Sequence, residues 1–267
     1  MKRILSFIIK VAPLFAVLLI GCASGAATQA PSPSPPPTVS APYPAVLLDL
    51  SNWKVTLPVD AAGGTTGLAT EVTQPLLATL VTEPYFVVRS DGGVRFRAPT
   101  SGATTQGSSY PRSELREMAD GGTRLASWST TEGRHSMTIE QAITAVPATK
   151  RHVVAGQIHD GSDDVITIRL EQPRLFVDHN GVDGRTLTSS YVLGTRFTVR
   201  FEASDGQIRV YYNGSPTPND TLARAGAGMY FKAGAYTQSN CMRETVTACG
   251  ERNFGEVVIY ALRVLHQ

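Results

Sequence analysis

The sequence predicts an all-β fold, a β-sandwich, for roughly the last 220 residues of the chain. From Trp53 onward, short β-type segments follow one another, separated by turn signals. Those turns carry residues that tolerate positive φ, in Asp91-Gly92-Gly93, Asn180-Gly181, Asp205-Gly206 and Asn213-Gly214. Long amphipathic helices and internal repeats are both missing from the pattern. Many short strands with regular turns favour two packed sheets.

Strands are expected at 53–57, 85–89, 93–98, 111–118, 136–145, 152–159, 165–171, 173–178, 196–203, 207–213, 228–236 and 256–265. Val199 to Tyr212, broken by Asp205-Gly206, reads as a hairpin. In the last segment Val257, Ile259 and Ala261 are expected on one face, and Val258, Tyr260 and Leu262 on the other.

Residues 1–21 read as a secretory signal: Met1-Lys2-Arg3 and Lys10 are basic, and Val11 to Ile20 is largely apolar. The apolar run falls short of the about 20 residues a membrane span needs. It ends in Leu19-Ile20-Gly21-Cys22, which resembles a bacterial lipoprotein lipobox with Cys22 as the lipidated residue. Ala23 follows with no aspartate, which points to the outer membrane. Residues 22–45 are rich in Pro, Ser, Ala and Thr and read as an extended tether. The folded domain is expected at 46–267, as an exported, lipid-anchored monomer.

The formal charge of +2 belongs to the whole chain. Removing Lys2, Arg3 and Lys10 with the signal leaves 21 basic residues against 22 acidic, a net of −1. That balance predicts neither nucleic acid nor a membrane surface as partner, so the lipid is the only expected membrane contact. A polyanion would need a local cluster, for which Arg95, Arg97, Arg112, Arg116 and Lys232 are candidates. Cys241 and Cys249, eight apart in an exported chain, are expected to form a disulfide. Two cysteines without a nearby histidine make no zinc set, so no metal is expected. Asp160, Asp163 and Asp164 lie close together but form no clear calcium motif.

Three strings share one alternation: Arg112-Ser113-Glu114-Leu115-Arg116, Gln157-Ile158-His159, and Tyr230-Phe231-Lys232-Ala233-Gly234-Ala235-Tyr236. A strand sends alternate side chains to opposite faces. Arg112, Glu114 and Arg116 therefore share a face, as do Gln157 and His159, and as do Tyr230, Lys232 and Tyr236. Gly234 is expected to leave open space on that last face, and Phe231 to be core. Guanidinium, amide, imidazole, phenol and ammonium together suit a carboxylated sugar polymer and removal of the proton beside its carboxylate. Arg-x-Glu-x-Arg is also a common structural charge ladder, in which Glu114 orients Arg112 or Arg116.

These blocks resemble the signature strings of the polysaccharide lyase family seven alginate lyases. Ser51 to Val59 resembles that family's opening strand, Tyr236-Thr237-Gln238 resembles the tail of its third block, and the resemblance spans residues 46–267. It implies a jelly roll whose concave sheet forms an open groove. It further implies β-elimination of alginate at the C4–O bond, within the polymer and leaving unsaturated uronate ends, with no cofactor. By resemblance Arg112, Gln157, His159 and Tyr236 match the catalytic positions, and Glu114, Arg116, Tyr230, Lys232 and Gln238 fall to substrate binding. Either His159 or Tyr236 can serve as the base. The Gln-Ile-His form is associated with accepting guluronate.

Rival readings are weaker. A glycosidase needs two carboxylates flanking one bond, whereas Glu114 and Glu117 are three apart and Asp163 and Asp164 are adjacent, so each pair diverges on a strand. A non-catalytic alginate-binding module has no use for His159 and Tyr236 together. A structural envelope lipoprotein leaves all three blocks unexplained. A lyase for another polyuronate, such as glucuronan, uses the same chemistry.

Overall fold

The computed structural model describes residues 42–267. The expected signal, Cys22 and most of the tether lie outside the described residues. Sixteen strands occur among the described residues. They are Trp53–Thr56 (β1), Glu71–Val72 (β2), Phe86–Val88 (β3), Val94–Pro99 (β4), Arg112–Ala119 (β5), Arg124–Leu125 (β6), His135–Ala145 (β7) and His152–His159 (β8). Then come Asp164–Glu171 (β9), Arg174–His179 (β10), Val182–Thr188 (β11), Phe197–Ser204 (β12), Gln207–Tyr212 (β13), Asp220–Ala223 (β14), Tyr230–Thr237 (β15) and Phe254–His266 (β16).

Two antiparallel sheets result, as the predicted sandwich requires. One runs β11-β10-β9-β8-β15-β5-β1-β2, with β6 beside β5; the other runs β14-β13-β12-β7-β16-β4-β3. Between them lies one core, to which the first sheet gives Val55, Leu115, Ile158, Ile168 and Phe231, and the second gives Phe96, Met137, Ile139, Phe201 and Val257. Each such side chain, fully buried, contributes roughly 1.5–3 kcal/mol of transfer free energy. The β12–β13 hairpin forms as expected, with Val199 opposite Tyr212 and with Asp205 and Gly206 at φ 56° and 69°. Cys241 and Cys249 are disulfide-bonded.

Strands β2, β6, β11 and β14 were not expected from the pattern. They are short or solvated: Val182–Thr188 is mostly exposed, so it has no apolar stripe to reveal it. The alternation expected for β16 also fails halfway. A register shift against β7 falls between Ile259 and Ala261. Val257 and Ile259 lie in the core, but beyond the shift Leu262 and Val264 pack against it and Ala261 is exposed. A bulge inserts one residue and exchanges the faces.

A second irregularity shapes the first sheet. Between Val154 and Gln157 the register of β8 shifts against β9, and β15 shifts against β8 between Lys232 and Tyr236. Val153, Ala155 and Ile158 all reach the core, so the inward parity changes across Gly156, whose φ is 120°. Without that change Gln157 and His159 would lie on the face of Val153 and Ala155. Gly234 sits at the same bulge with φ 137°. A side chain there would not project into open space, contrary to expectation. Its Cβ would stand 2.6 Å from the Ser113 carbonyl oxygen and 2.9 Å from Glu114 Cα.

One end of the sandwich is closed by a polar chain between the sheets. The buried Glu117 carboxylate accepts from Trp128 Nε1 (3.0 Å), from the Phe231 amide (2.9 Å) and from His266 Nε2 (2.6 Å). His266 Nδ1 meets His135 Nδ1 at 2.7 Å, and His135 Nε2 meets the Glu132 carbonyl at 2.8 Å. Burial, with the His266 ring beside it, holds His135 below the usual histidine value despite the Glu132 carbonyl.

Gly234→Ala is expected to destabilise the fold by about 3 kcal/mol, because a positive φ and backbone overlap combine. Gly161→Ala, which meets nothing within 4 Å, should change stability by less than about 0.5 kcal/mol. Urea unfolding of both variants checks the contrast.

Candidate active site

The register of the first sheet brings the three blocks together. On β5 and β15, Arg112 lies opposite Tyr236, Glu114 opposite Gly234, and Arg116 opposite Lys232. On β8 and β15, Gln157 lies opposite Lys232 and His159 opposite Tyr230. Arg112, Arg116, Gln157, His159, Tyr230, Lys232 and Tyr236 line one open cavity of about 420 Å³.

Beneath it lies Glu114, with no exposed surface. Its carboxylate accepts from Arg112 Nη1 at 3.0 Å, Lys232 Nζ at 2.7 Å and Gln157 Nε2 at 2.6 Å. Of the two arginines expected to pair with Glu114, it takes Arg112, together with Lys232 from the adjacent β15 and Gln157 from β8 beyond it. Burial raises this carboxyl, but Lys232 and Arg112 outweigh it and hold the group below the usual carboxylate range. Burial likewise lowers the Lys232 ammonium to about 8, against the attraction of Glu114. At neutral pH two cations therefore face one anion, and the cavity floor is positive.

Each remaining donor has a defined setting. Arg112 Nη2 donates to Ser108 Oγ at 3.2 Å, and its guanidinium lies 3.7 Å above the Tyr236 ring. Its Nε is buried and has no hydrogen-bond partner among the described residues. Arg116 donates to the Glu117 carbonyl at 2.6 Å and stacks on Tyr230 at 3.9 Å. Tyr230 in turn stacks on His159, with ring centroids 5.2 Å apart. His159 Nδ1 lies 2.8 Å from the Asp160 carbonyl, which can only accept, and 3.0 Å from the Tyr230 hydroxyl. The proton is thus assigned to Nδ1, leaving Nε2 with its lone pair. Burial, then the charges of Lys232 and Arg112, hold His159 below the usual histidine value despite the Asp160 carbonyl. It is a neutral ring at pH 7, the form a base requires.

Arg95, Arg97 and Gln238 lie away from the expected groove. Arg95 and Arg97 belong to the second sheet, where both lie beside Glu256, so they add nothing to the cavity. Gln238, 8% exposed just past β15, does not line it. Asp160 is engaged by Ser162, the Asp163 amide and Arg224. The sequence reading also missed several lining residues: Lys54 with its partner Glu71, the 105–108 loop, and Asp163 with Asp164. Burial and Asp163 push the Asp164 carboxyl up to about 6. No local periodicity marks Ser108, because it lies in a loop before β5.

Comparison with known proteins decides the family. The alginate lyase family profile matches residues 48–266. The chain belongs to the alginate lyase family. A curated alginate lyase from Klebsiella pneumoniae is 26% identical, over 77% of this chain and 88% of its own length. The crystal structure of an alginate lyase from Corynebacterium sp. superposes with TM-score 0.79 at 46% identity, covering 84% of this chain and 98% of that one. A polysaccharide lyase family 7 alginate lyase superposes with TM-score 0.77 at 49% identity, covering 84% and 99%. Another family 7 member, with one histidine changed to asparagine and one tyrosine to phenylalanine, was solved in complex with substrate; it is 27% identical, with TM-score 0.70 and coverage of 85% and 97%. The chain is an alginate lyase, an enzyme acting on an anionic polysaccharide, with the jelly-roll fold of its relatives.

Two outcomes test this alginate lyase's site. Glu114→Ala leaves Arg112 and Lys232 buried side by side without their counter-ion, and should destabilise the fold by about 3–5 kcal/mol in urea unfolding. Lys232 is charged below about pH 8 and neutral above it. KM for alginate should therefore rise as pH passes 8, and this rise should vanish in Lys232→Arg, as initial rates across pH will show.

Proposed function

We propose that the chain cleaves alginate within the polymer by β-elimination at the C4–O bond, leaving an unsaturated uronate at the new end. One observation carries this reading: Arg112, Gln157 and Lys232 are locked together by the buried Glu114, while His159 and Tyr236 line the same cavity. Removing the C5 proton puts charge into the adjacent carboxylate, and fixed donors aimed at that charge are the largest available stabilisation. Arg112 and the second N–H of Gln157 take this carboxylate. Arg116, Lys232 and Tyr230 hold neighbouring residues of the polymer.

The base depends on the sugar. In guluronate the C5 proton and the leaving group lie on opposite sides, so His159 Nε2 takes the proton and the Tyr236 hydroxyl protonates the leaving oxygen. In mannuronate they lie on the same side, and Tyr236 performs both transfers. Support comes from the neutral His159 ring and from the relative that holds substrate once a histidine and a tyrosine are replaced. We further propose export as a monomer anchored by lipid at Cys22 in the outer membrane, on the strength of Leu19-Ile20-Gly21-Cys22 and the Pro-rich tether.

The test is ultraviolet absorbance of the conjugated uronate, with poly-mannuronate, poly-guluronate and glucuronan as substrates. Wild-type chain should produce it on alginate blocks; Tyr236→Phe should lose it on both; His159→Asn should lose poly-guluronate cleavage first. Activity surviving in Tyr236→Phe would overturn these roles.

A further inference from the structure

The loop before β5 places a hydroxyl between two residues of the reaction. Ser108 Oγ lies 3.1 Å from the Tyr236 hydroxyl and 3.2 Å from Arg112 Nη2. It also lies 3.2 Å from the Tyr110 amide nitrogen and 3.1 Å from the Tyr110 carbonyl oxygen. The loop itself is held by the Ser108 amide, which donates to the Thr105 carbonyl at 3.0 Å.

A serine hydroxyl has one proton and two lone pairs. The Tyr110 N–H and the Arg112 guanidinium can only donate, so together they fill both lone pairs. What remains is the single Ser108 proton, shared between the Tyr110 carbonyl and the Tyr236 oxygen. Toward Tyr236, Ser108 is therefore a donor and not an acceptor. The phenol's own proton has no place on Ser108 and must point elsewhere, toward the open cavity that Tyr236 lines.

We propose that Ser108 is a positioning residue for Tyr236: it turns the phenol O–H toward the substrate and donates a hydrogen bond to the phenolate oxygen while Tyr236 is ionised. When Tyr236 gives its proton to the leaving oxygen, the Ser108 hydroxyl rotates from the Tyr110 carbonyl onto the new phenolate, and it rotates back when the phenol is reprotonated. No proton leaves Ser108, so the transfer balances between substrate and Tyr236. Arg112, stacked 3.7 Å above the ring, adds a positive charge beside the same phenolate. The inference rests on Tyr236 as the acid, and deepens that assignment.

A donor to the charged form favours that form. Losing it raises the proton affinity of the phenol, whichever role Tyr236 plays. A rising limb of the pH–rate profile that needs phenolate, or a falling limb that needs phenol, then moves to higher pH. The experiment compares Ser108→Ala, Ser108→Thr and Tyr236→Phe in the full-length chain, with kcat and KM on poly-mannuronate and poly-guluronate across pH. Ser108→Ala should lower kcat about tenfold to a hundredfold, as expected for a hydrogen bond to a charged group. It should leave KM within about twofold and shift the Tyr236-governed limb upward by about one to two pH units. Ser108→Thr keeps the hydroxyl and should restore both kcat and the profile. Should the alanine variant fail to fold, Ser108→Cys, a weaker donor of similar size, should show a smaller shift of the same sign.

An unchanged profile in Ser108→Ala beside an inactive Tyr236→Phe would overturn the Ser108 proposal alone. A loss confined to KM, or no rescue by threonine, would overturn it too and leave Ser108 a loop residue. Activity retained in Tyr236→Phe would overturn both this inference and the assignment beneath it.

Discussion

A carboxylate with no exposed surface organises this enzyme. Glu114 takes one hydrogen bond from its own strand, through Arg112, and one from each of the next two strands on one side, through Lys232 and Gln157. Two cations and an amide are fixed to a single point below the groove. A buried anion without partners is expensive, and so is a pair of buried cations. Each side of the cluster makes the other tolerable, and the surplus positive charge is presented upward. This satisfies the chemistry of the substrate, which brings carboxylates and develops more negative charge as it reacts.

Around that anchor the backbone bends to admit it. The register shifts at Gly156 and Gly234 allow β8 to turn Gln157 and His159 outward while Val153 and Ala155 still pack inward. Both glycines hold positive φ, and Gly234 approaches the β5 backbone closely. Stability and function meet at these positions: the residues that close the core on one side of the bulge open the groove on the other.

At one end the sandwich is tied by a second buried acid. Glu117 stands next to Arg116 in sequence but on the opposite face, and it links the first sheet to His266 and, through it, to His135 on the second. It also accepts from the Phe231 amide, between Tyr230 and Lys232. The strand that carries the cavity's phenol and ammonium is thus held from both sides, by Glu114 above and Glu117 below.

The sequence by itself determined the class of fold and which side chains within each block share a face. Alternation is a local property, so Arg112, Glu114 and Arg116 had to share a face, and Gln157 had to share one with His159. The hairpin at Asp205-Gly206 was legible for the same reason, since positive φ is written into its residue types. Pairing between distant segments is not local, and only the tertiary structure decided it. It put Arg95 and Arg97 on the other sheet, exchanged the faces of β16 at a bulge, and closed the space expected beside Gly234. It also set Ser108 against Tyr236, across 128 positions of sequence. No periodicity within a strand encodes such a contact, because it depends on where a loop lands once the sheets have packed.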